Sequence, residues 1–83
     1  MMYTLYTLDN QFIEEVLHIR RNFTGIVAWP YGKQWLVNGQ LHRLDGPATE
    51  HTDGYQYWYI DGKPVTEEQC NLLHSIMRLK GLI

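Results

Sequence analysis

The stretch from Gly32 to Gly62 decides the fold of this chain, and it reads GKQWLVNGQLHRLDGPATEHTDGYQYWYIDG. Asn-Gly or Asp-Gly dipeptides recur in it at positions 38-39, 45-46, 53-54 and 61-62. Such dipeptides tolerate the positive φ angles that two-residue hairpin turns require. The runs between them are rich in Trp, Tyr, Val and Ile, which is the composition of β-strands. The stretch therefore predicts a series of antiparallel hairpins.

The same stretch contains an internal repeat. Trp35 stands before the turn Asn38-Gly39 as Trp58 stands, 23 residues later, before Asp61-Gly62, and the segment 46–54 has a degenerate earlier copy at residues 25–32. This spacing gives a unit of roughly 22 residues in which a short strand and an aromatic strand end at a turn. An isolated hairpin is only marginally stable in water, so the units must share a sheet.

The repeat also resembles a known family. The run WLVNGQLHRLDGPA at residues 35–48, followed by DGYQYWYIDGK at 53–63, is similar to a repeat common in bacteriophage proteins. That unit reads roughly Trp-x-x-Asn-Gly-x-x-His-Arg-x-Asp-Gly-Pro-Ala and is loosely similar to MORN repeats. The resemblance covers about residues 25–65, and the second copy departs from it because Lys63-Pro-Val stands where His-Arg would follow. It implies a phage origin and a scaffold of β-hairpins, and it carries over no catalytic residue.

The segment before the repeat predicts a helix. Apolar residues recur with helical spacing from Phe12 to Leu17, after a capping Asp9 or Asn10. A basic pair closes the segment, where the helix dipole favours cations. The pattern predicts a helix over residues 10–21.

The C-terminal segment predicts a second helix. Thr66 and Gln69 stand at capping-box spacing, and Gly81 suits a helix stop, so the helix should cover residues 66–80. The whole prediction is a single α+β domain over residues 1–83. It is an antiparallel β-meander of repeats over about 23–65, with both helices packed on the sheet. The predicted strands lie near 25–29, 33–38, 41–43, 47–52 and 55–60, with a short return at 63–65 and a strand or extended arm at 2–8.

Alternation along the strands assigns residues to the two faces of the sheet. One face should carry Trp35, Val37, Trp58 and Ile60, and we expect the Trp pair to belong to the core. The opposite face should carry Tyr55, Tyr57 and Tyr59, with Gln34 and Leu36 beside them. If no helix covers this second face, its tyrosines form an exposed aromatic surface.

Composition narrows the class of protein. The 83 residues are 45% hydrophobic and carry a formal net charge of −2, so the chain is globular and lacks the strong basic charge of a typical nucleic-acid binder. Cys70 is the only cysteine, which suits a reducing compartment. No signal peptide or membrane-spanning run is visible. We therefore expect a cytoplasmic protein, in the host cell if it is phage-encoded.

Two histidine arrangements could carry chemistry. Cys70 and His74 stand four residues apart on the predicted helix, which is half of a zinc site, but a structural site needs four ligands. His42 and His51 could form an acid–base pair, as in a metal-free hydrolase or nuclease. Neither arrangement comes with a nucleophile signature or a phosphate-binding loop. The prediction is a protein without catalytic residues, metal or cofactor.

The segment His42-Arg43-Leu44-Asp45 predicts a structural role. Asp45 can bond backbone N–H groups across its turn, Arg43 can pair with a carboxylate or stack on an aromatic ring, and His42 can donate to a carbonyl of a neighbouring strand. A direct contact with a partner is the second hypothesis for this segment. His42 and Arg43 are therefore also candidate binding residues.

The aromatic content is the main functional clue, because three Trp and six Tyr are many for this length. Tyr and Trp dominate the energetic centres of protein interfaces. The sequence predicts a small phage-type accessory protein that binds a host or phage protein and inhibits a host enzyme or defence complex, with a homodimer also open. Its candidate binding residues are Tyr55, Tyr57, Tyr59, Leu36, His42 and Arg43. Three further hypotheses are a nucleic-acid-binding module that uses the Tyr face with Lys33, Arg43 and Lys63 clustered beside it, the hydrolase that uses His42 and His51, and a self-assembling structural protein.

Overall fold

Eight β-strands and one C-terminal helix make up the protein, and the computed structural model describes residues 1–83. The elements are β1 (Tyr3–Tyr6), β2 (Phe12–Val16), β3 (Gly25–Trp29), β4 (Gly32–Val37), β5 (Gln40–Leu41), β6 (Thr49–His51), β7 (Gln56–Ile60), β8 (Lys63–Val65) and α1 (Glu67–Leu79). All strand pairs are antiparallel. The predicted α+β class with an antiparallel sheet is confirmed.

The strands form one sheet in the order β2-β1-β3-β4-β6-β7-β8. The first half of β4 pairs with β6, and its last two residues pair with the short β5. From β3 onward the sheet is a meander in which β5 and β6 follow one another beside β4. Strand β2 departs from this order because it lies outside β1, at one edge of the sheet.

The two repeat turns adopt the same backbone conformation. Asn38 and Gly39 have φ angles of 50° and 79°, and Asp61 and Gly62 also have 50° and 79°. Positive φ at both central residues is the signature of the hairpin turn that matches the twist of the strands. The first turn also lies close against the preceding loop, where a β-carbon on Gly39 would collide with the carbonyl oxygen of Arg21.

The predicted N-terminal helix over residues 10–21 is wrong. Residues 12–16 form strand β2, and a tight turn joins it to β1. Asn10 has a φ of 69°, and the Thr7 side chain accepts a hydrogen bond from the Gln11 N–H and donates to Asp9. Asp9-Asn10 is therefore a turn rather than a helix cap. The apolar residues at 12, 13, 16 and 17 have helical spacing, and pairing with β1 overrides it.

The structure confirms the predicted C-terminal helix. Thr66 and Gln69 form a reciprocal capping box at the start of α1. Gly81, at a φ of 71°, ends the helix, and the Leu82 N–H bonds back to the Met77 carbonyl. Within α1 only Cys70 is fully buried.

The largest buried cluster lies on one face of the N-terminal half of the sheet. It consists of Leu5, Phe23, Val27 and Leu36. Strand register places Leu5 beside Val27. Phe23, from the loop between β2 and β3, is 3% exposed and belongs to the same cluster. The loop thus supplies the cover that the predicted N-terminal helix was expected to give.

Register also tests the predicted faces. Val27 pairs with Gln34, Gln34 with Thr49, and Thr49 with Tyr57, so the Tyr face continues the face of the main core cluster. Trp35 and Trp58 lie on the other face, as predicted, but both are only half-buried. The Trp pair was expected to belong to the core, but the main core cluster lies on the opposite face and includes neither tryptophan.

The two phenylalanines should respond very differently to truncation. Phe23→Ala removes a buried ring and should lower the free energy of unfolding by about 3–5 kcal/mol. Phe12 is 63% exposed on edge strand β2 and contacts only Tyr6 among the aromatic rings, at 6.3 Å between centroids. Phe12→Ala should therefore cost about 1 kcal/mol or less. Urea unfolding of both variants is the measurement, and a large loss for Phe12→Ala would contradict the placement of β2.

Candidate functional site

An open aromatic surface follows strand β7 and its neighbours. Tyr55 is 64% exposed and Tyr57 48% exposed, while Tyr59 is half-buried. Neither Tyr55 nor Tyr57 is covered by the helix. This arrangement matches the exposed Tyr face that the sequence raised as one of two outcomes.

His51 joins the tyrosines to a tryptophan. Its ring meets Tyr57 edge-on at 6.0 Å between centroids and meets Trp29 edge-on at 6.1 Å. Edge-to-face contacts at such distances are favourable. We define the aromatic face as Trp29, His51, Tyr55 and Tyr57.

Gly32 makes the contact between Trp29 and His51 possible. Gly32 stands opposite both Trp29 and His51 in the sheet. A β-carbon there would lie 3.2 Å from the Trp29 ring and would collide with the Glu50 carbonyl oxygen. The missing side chain opens the gap through which the indole reaches the histidine. Sequence reasoning missed Trp29 and His51 as members of this surface because the signal, a glycine between them in space, depends on register.

A second feature is the segment His42–Ala48, which connects the two repeat copies. Its backbone bridges strands that are not otherwise paired there. Trp35 donates its N–H to the Ala48 carbonyl at 2.8 Å, and Ala48 donates to the Tyr57 carbonyl at 2.9 Å. The segment therefore continues the sheet between β4 and β7.

Arg43 organises this segment through its guanidinium group. Its Nε donates to Asp45 at 2.9 Å, and its Nη1 donates to the Pro47 carbonyl and to Glu50, each at 3.1 Å. The guanidinium carbon lies 3.8 Å from the centre of the Trp35 ring. Arg43 thus has both structural contacts that the sequence predicted for it, a carboxylate pair and an aromatic stack.

Gly46 lies flush against the same guanidinium group. A β-carbon on Gly46 would lie 2.7 Å from Arg43 Cζ, closer than real β-carbons approach. The planar group is therefore held with Trp35 and Gly46 both in contact with it. A side chain at position 46 would therefore displace the guanidinium group from its present position.

His42 is also used within the fold. Its Nδ1 accepts a hydrogen bond from the Asp61 N–H at 3.0 Å and lies 3.2 Å from the Asp61 carboxylate. The side chain links one repeat unit to the turn of the next. The sequence predicted that His42 donates to a carbonyl of a neighbouring strand, whereas in the structure its Nδ1 accepts from the backbone N–H of Asp61 in the turn.

Cys70 fastens the helix to the same segment. Its Sγ donates to the carbonyl of Arg43 at 3.2 Å and lies 3.5 Å from that of Leu44. Burial raises the pKa of the thiol, the nearby Asp45 carboxylate raises it further, and Arg43 partly offsets both. Cys70 is therefore a protonated, packed side chain at neutral pH, and no group of three or more His, Cys, Asp or Glu is arranged to hold a metal ion.

Other residues that the sequence singled out lie apart from the aromatic face. Leu36 is 8% exposed within the main core cluster. His42 and His51 line separate clefts that share no residue. Lys33 and Lys63 pair with Ala28 and Ile60, so register points both away from the Tyr face.

Comparisons with other proteins return no relative. No protein-family model, curated protein or solved structure matches this chain. In addition, no helix has the length and apolarity needed to cross a bilayer. Function must therefore be inferred from the residues and their contacts.

Arg43 and Trp35 should be energetically coupled. Arg43→Ala leaves Glu50 and the Pro47 carbonyl without their donor, and we expect the free energy of unfolding to fall by about 2–3 kcal/mol. In the double mutant with Trp35→Ala the losses should be non-additive by about 0.5–2 kcal/mol, because the stack is removed only once. Chemical unfolding of the four proteins measures this term. Additive losses would show that the stack contributes nothing, and Arg43→Lys should fail to restore it because a lysine is not planar.

Proposed function

We propose that this protein is a non-catalytic module that binds another protein through its aromatic face. The observation that carries the proposal is the exposure of Tyr55 and Tyr57 at the start of β7, where Tyr57 pairs with Thr49 of β6 and the Tyr55 carbonyl accepts a hydrogen bond from the His51 N–H at 2.9 Å. Tyrosine gives a large contact area at a small cost in rotamer entropy and keeps a polar tip. Rigid tyrosines of this kind are the residues that most often dominate binding energy.

Charge supports a protein partner over nucleic acid. A single-strand binder combines stacking rings with a positive groove that follows the phosphates. Here Lys33 lines the cleft beside Trp29 and His51, but register points Lys63 away from the Tyr face, and Arg43 is engaged by Asp45 and Glu50. The aromatic face therefore has Lys33 at its border and lacks the row of cations that follows a phosphate backbone.

A hydrolase and a self-assembling structural protein have less support. A hydrolase built on His42 and His51 would need the two side chains in one cleft, and they line different ones. Assembly through sheet edges would need an edge free to pair. Edge strand β2 carries Glu14 and Glu15 beside a register shift, and edge strand β8 contains Pro64, and such features discourage pairing.

The motif resemblance supports a narrower form of the same proposal. On that basis the protein is a phage-type accessory protein that acts in the host cytoplasm. The free thiol of Cys70 fits this compartment, because the cytoplasm is reducing. Its partner is a host or phage protein, and its binding blocks a host enzyme or defence complex. The compact contact surface and small size are compatible with a role as an inhibitor.

Truncating Tyr57 should separate binding from folding. Tyr57→Ala removes an exposed ring, so the melting temperature should change little, while binding should weaken by about 2 kcal/mol or more. Phe12→Ala is the matched control, because Phe12 is also exposed but lies on β2, far from β7 in the sheet order.

The measurement uses capture from bacterial lysate by the wild type and both variants, followed by titration of the captured protein. We expect the wild type and Phe12→Ala to hold the same protein and Tyr57→Ala to lose it. Equal binding by all three would move the interface away from the aromatic face. Unfolding of Tyr57→Ala would show that this ring belongs to the core.

A further inference from the structure

The turn Asn38-Gly39 is the one place in the chain where asparagine precedes glycine. Its asparagine is exposed to solvent, and the glycine that follows has no side chain to block an approach to the Asn38 side-chain amide. The other asparagines precede the bulkier residues Gln11, Phe23 and Leu72. Position 38 is therefore where the sequence leaves a side-chain amide most open to attack by the next backbone nitrogen.

The reaction at such a site is deamidation through a cyclic imide. The Gly39 backbone nitrogen loses its proton and attacks the side-chain carbonyl carbon of Asn38, so that a C–N bond forms and ammonia leaves. Water then opens the imide at one of its two carbonyls. The product is an aspartate or an isoaspartyl linkage, and either one carries a new negative charge. Water is the only co-reactant.

Two hydrogen bonds hold this turn against the loop that precedes β3. The Gly39 N–H donates to the Phe23 carbonyl and the Asn38 N–H donates to Thr24 Oγ1, each at 2.9 Å. The contact is tight, since a β-carbon on Gly39 would collide with the Arg21 carbonyl oxygen. A backbone N–H in a stable hydrogen bond keeps its proton until the structure around it opens. The Gly39 nitrogen is therefore not available as a nucleophile while the loop is in place.

The loop that accepts these bonds is itself anchored in the core. The Phe23 ring is 3% exposed and packs in the main cluster with Leu5, Val27 and Leu36. The carbonyl of the same residue is the acceptor for Gly39. Burial of the ring thus fixes the position of the group that occupies the Gly39 N–H.

We propose that Asn38 is a deamidation site that the fold masks, and that it reacts only in molecules whose Asn38-Gly39 turn has separated from residues 21–24. The masking residues are Phe23 and Thr24, through the two hydrogen bonds above. This modification site goes beyond the proposed binding function, because neither the turn nor the loop belongs to the aromatic face.

The second repeat indicates how the aspartyl product would behave. Asp61 and Gly62 have the same φ angles as Asn38 and Gly39, 50° and 79°. The Gly62 N–H also donates to a carbonyl outside its own hairpin, that of Leu41 at 2.8 Å. Because an aspartate already occupies the equivalent position, the aspartyl product should keep the turn. The isoaspartyl product has an extra methylene in its backbone and should not fit a two-residue turn with these angles.

Mass spectrometry of the full chain, digested after incubation at mildly alkaline pH, measures the conversion. Folded protein should convert Asn38 at about one hundredth of the rate of protein unfolded in guanidinium chloride, or less, because a core-anchored segment rarely opens. Asn22 lies in the masking loop but precedes Phe23, and it is the internal control that should remain asparagine. Equal rates in folded and unfolded protein would overturn the masking. An Asn38 that does not react in the unfolded chain would overturn the site itself.

Variants in the loop test the mechanism of masking. Thr24→Val removes the acceptor of the Asn38 N–H with little change of shape and should raise the folded-state rate about fivefold. Phe23→Ala removes the anchor and should raise it about tenfold or more. Leu79→Ala, at an exposed position on α1, is the matched control and should leave the rate unchanged. All three should react like the wild type when unfolded, and a folded-state rate that neither loop variant raises overturns the role of the loop.

Asn38→Asp tests the fate of the product. This variant should fold with a nearly unchanged melting temperature, because Asp61 adopts the same turn. A large drop in its melting temperature would overturn the conclusion that the aspartyl product stays folded.

Discussion

The guanidinium group of Arg43 holds in place the segment whose backbone bridges β4 and β7. The segment after β5 does not form a regular strand. Its residues Asp45 and Pro47, and Glu50 of β6, all bind the guanidinium group of Arg43. Asp45 and Glu50 neutralise that charge, the Trp35 ring stacks on the guanidinium plane, and Gly46 packs against the guanidinium carbon. The carbonyls of this same segment then receive Cys70 from the helix. The sheet, the connecting segment and the helix thus depend on one half-buried cation.

Local signals in the sequence are sufficient wherever backbone chemistry decides the structure. The turns at Asn38-Gly39 and Asp61-Gly62 and the capping box at Thr66 all follow from preferences of a few adjacent residues. The helix predicted after Asn10 is wrong although the apolar residues there have helical spacing. Pairing with β1 across the hairpin overrides that pattern. The lost helix also explains the misplaced core, since Phe23 from a loop covers the main core cluster, while the tryptophans lie half-buried on the opposite face.

Only part of the candidate site could be predicted from the sequence, for a related reason. Alternation along β7 places the tyrosines on one side correctly. It cannot say which other side chains stand beside them, because that depends on the register of β4 and β6. His51 and Trp29 join the surface through the gap at Gly32, whereas Leu36 on the same side turns into the core. One face of a sheet therefore changes from core to surface along its width, and only the cross-strand order shows where.

Alkylation of the buried Cys70 thiol can report on how often helix α1 separates from the sheet. The sulfur is sealed between the helix and the segment that Arg43 organises, and only a thiolate in contact with solvent reacts with an alkylating reagent. Labelling must therefore wait for the helix to lift from the sheet, and its rate reports how often this opening occurs under native conditions. The added group cannot be accommodated in a site with no free surface, so each labelled molecule stays open. The fraction of labelled protein at a given time therefore measures how many molecules have undergone at least one undocking of the helix.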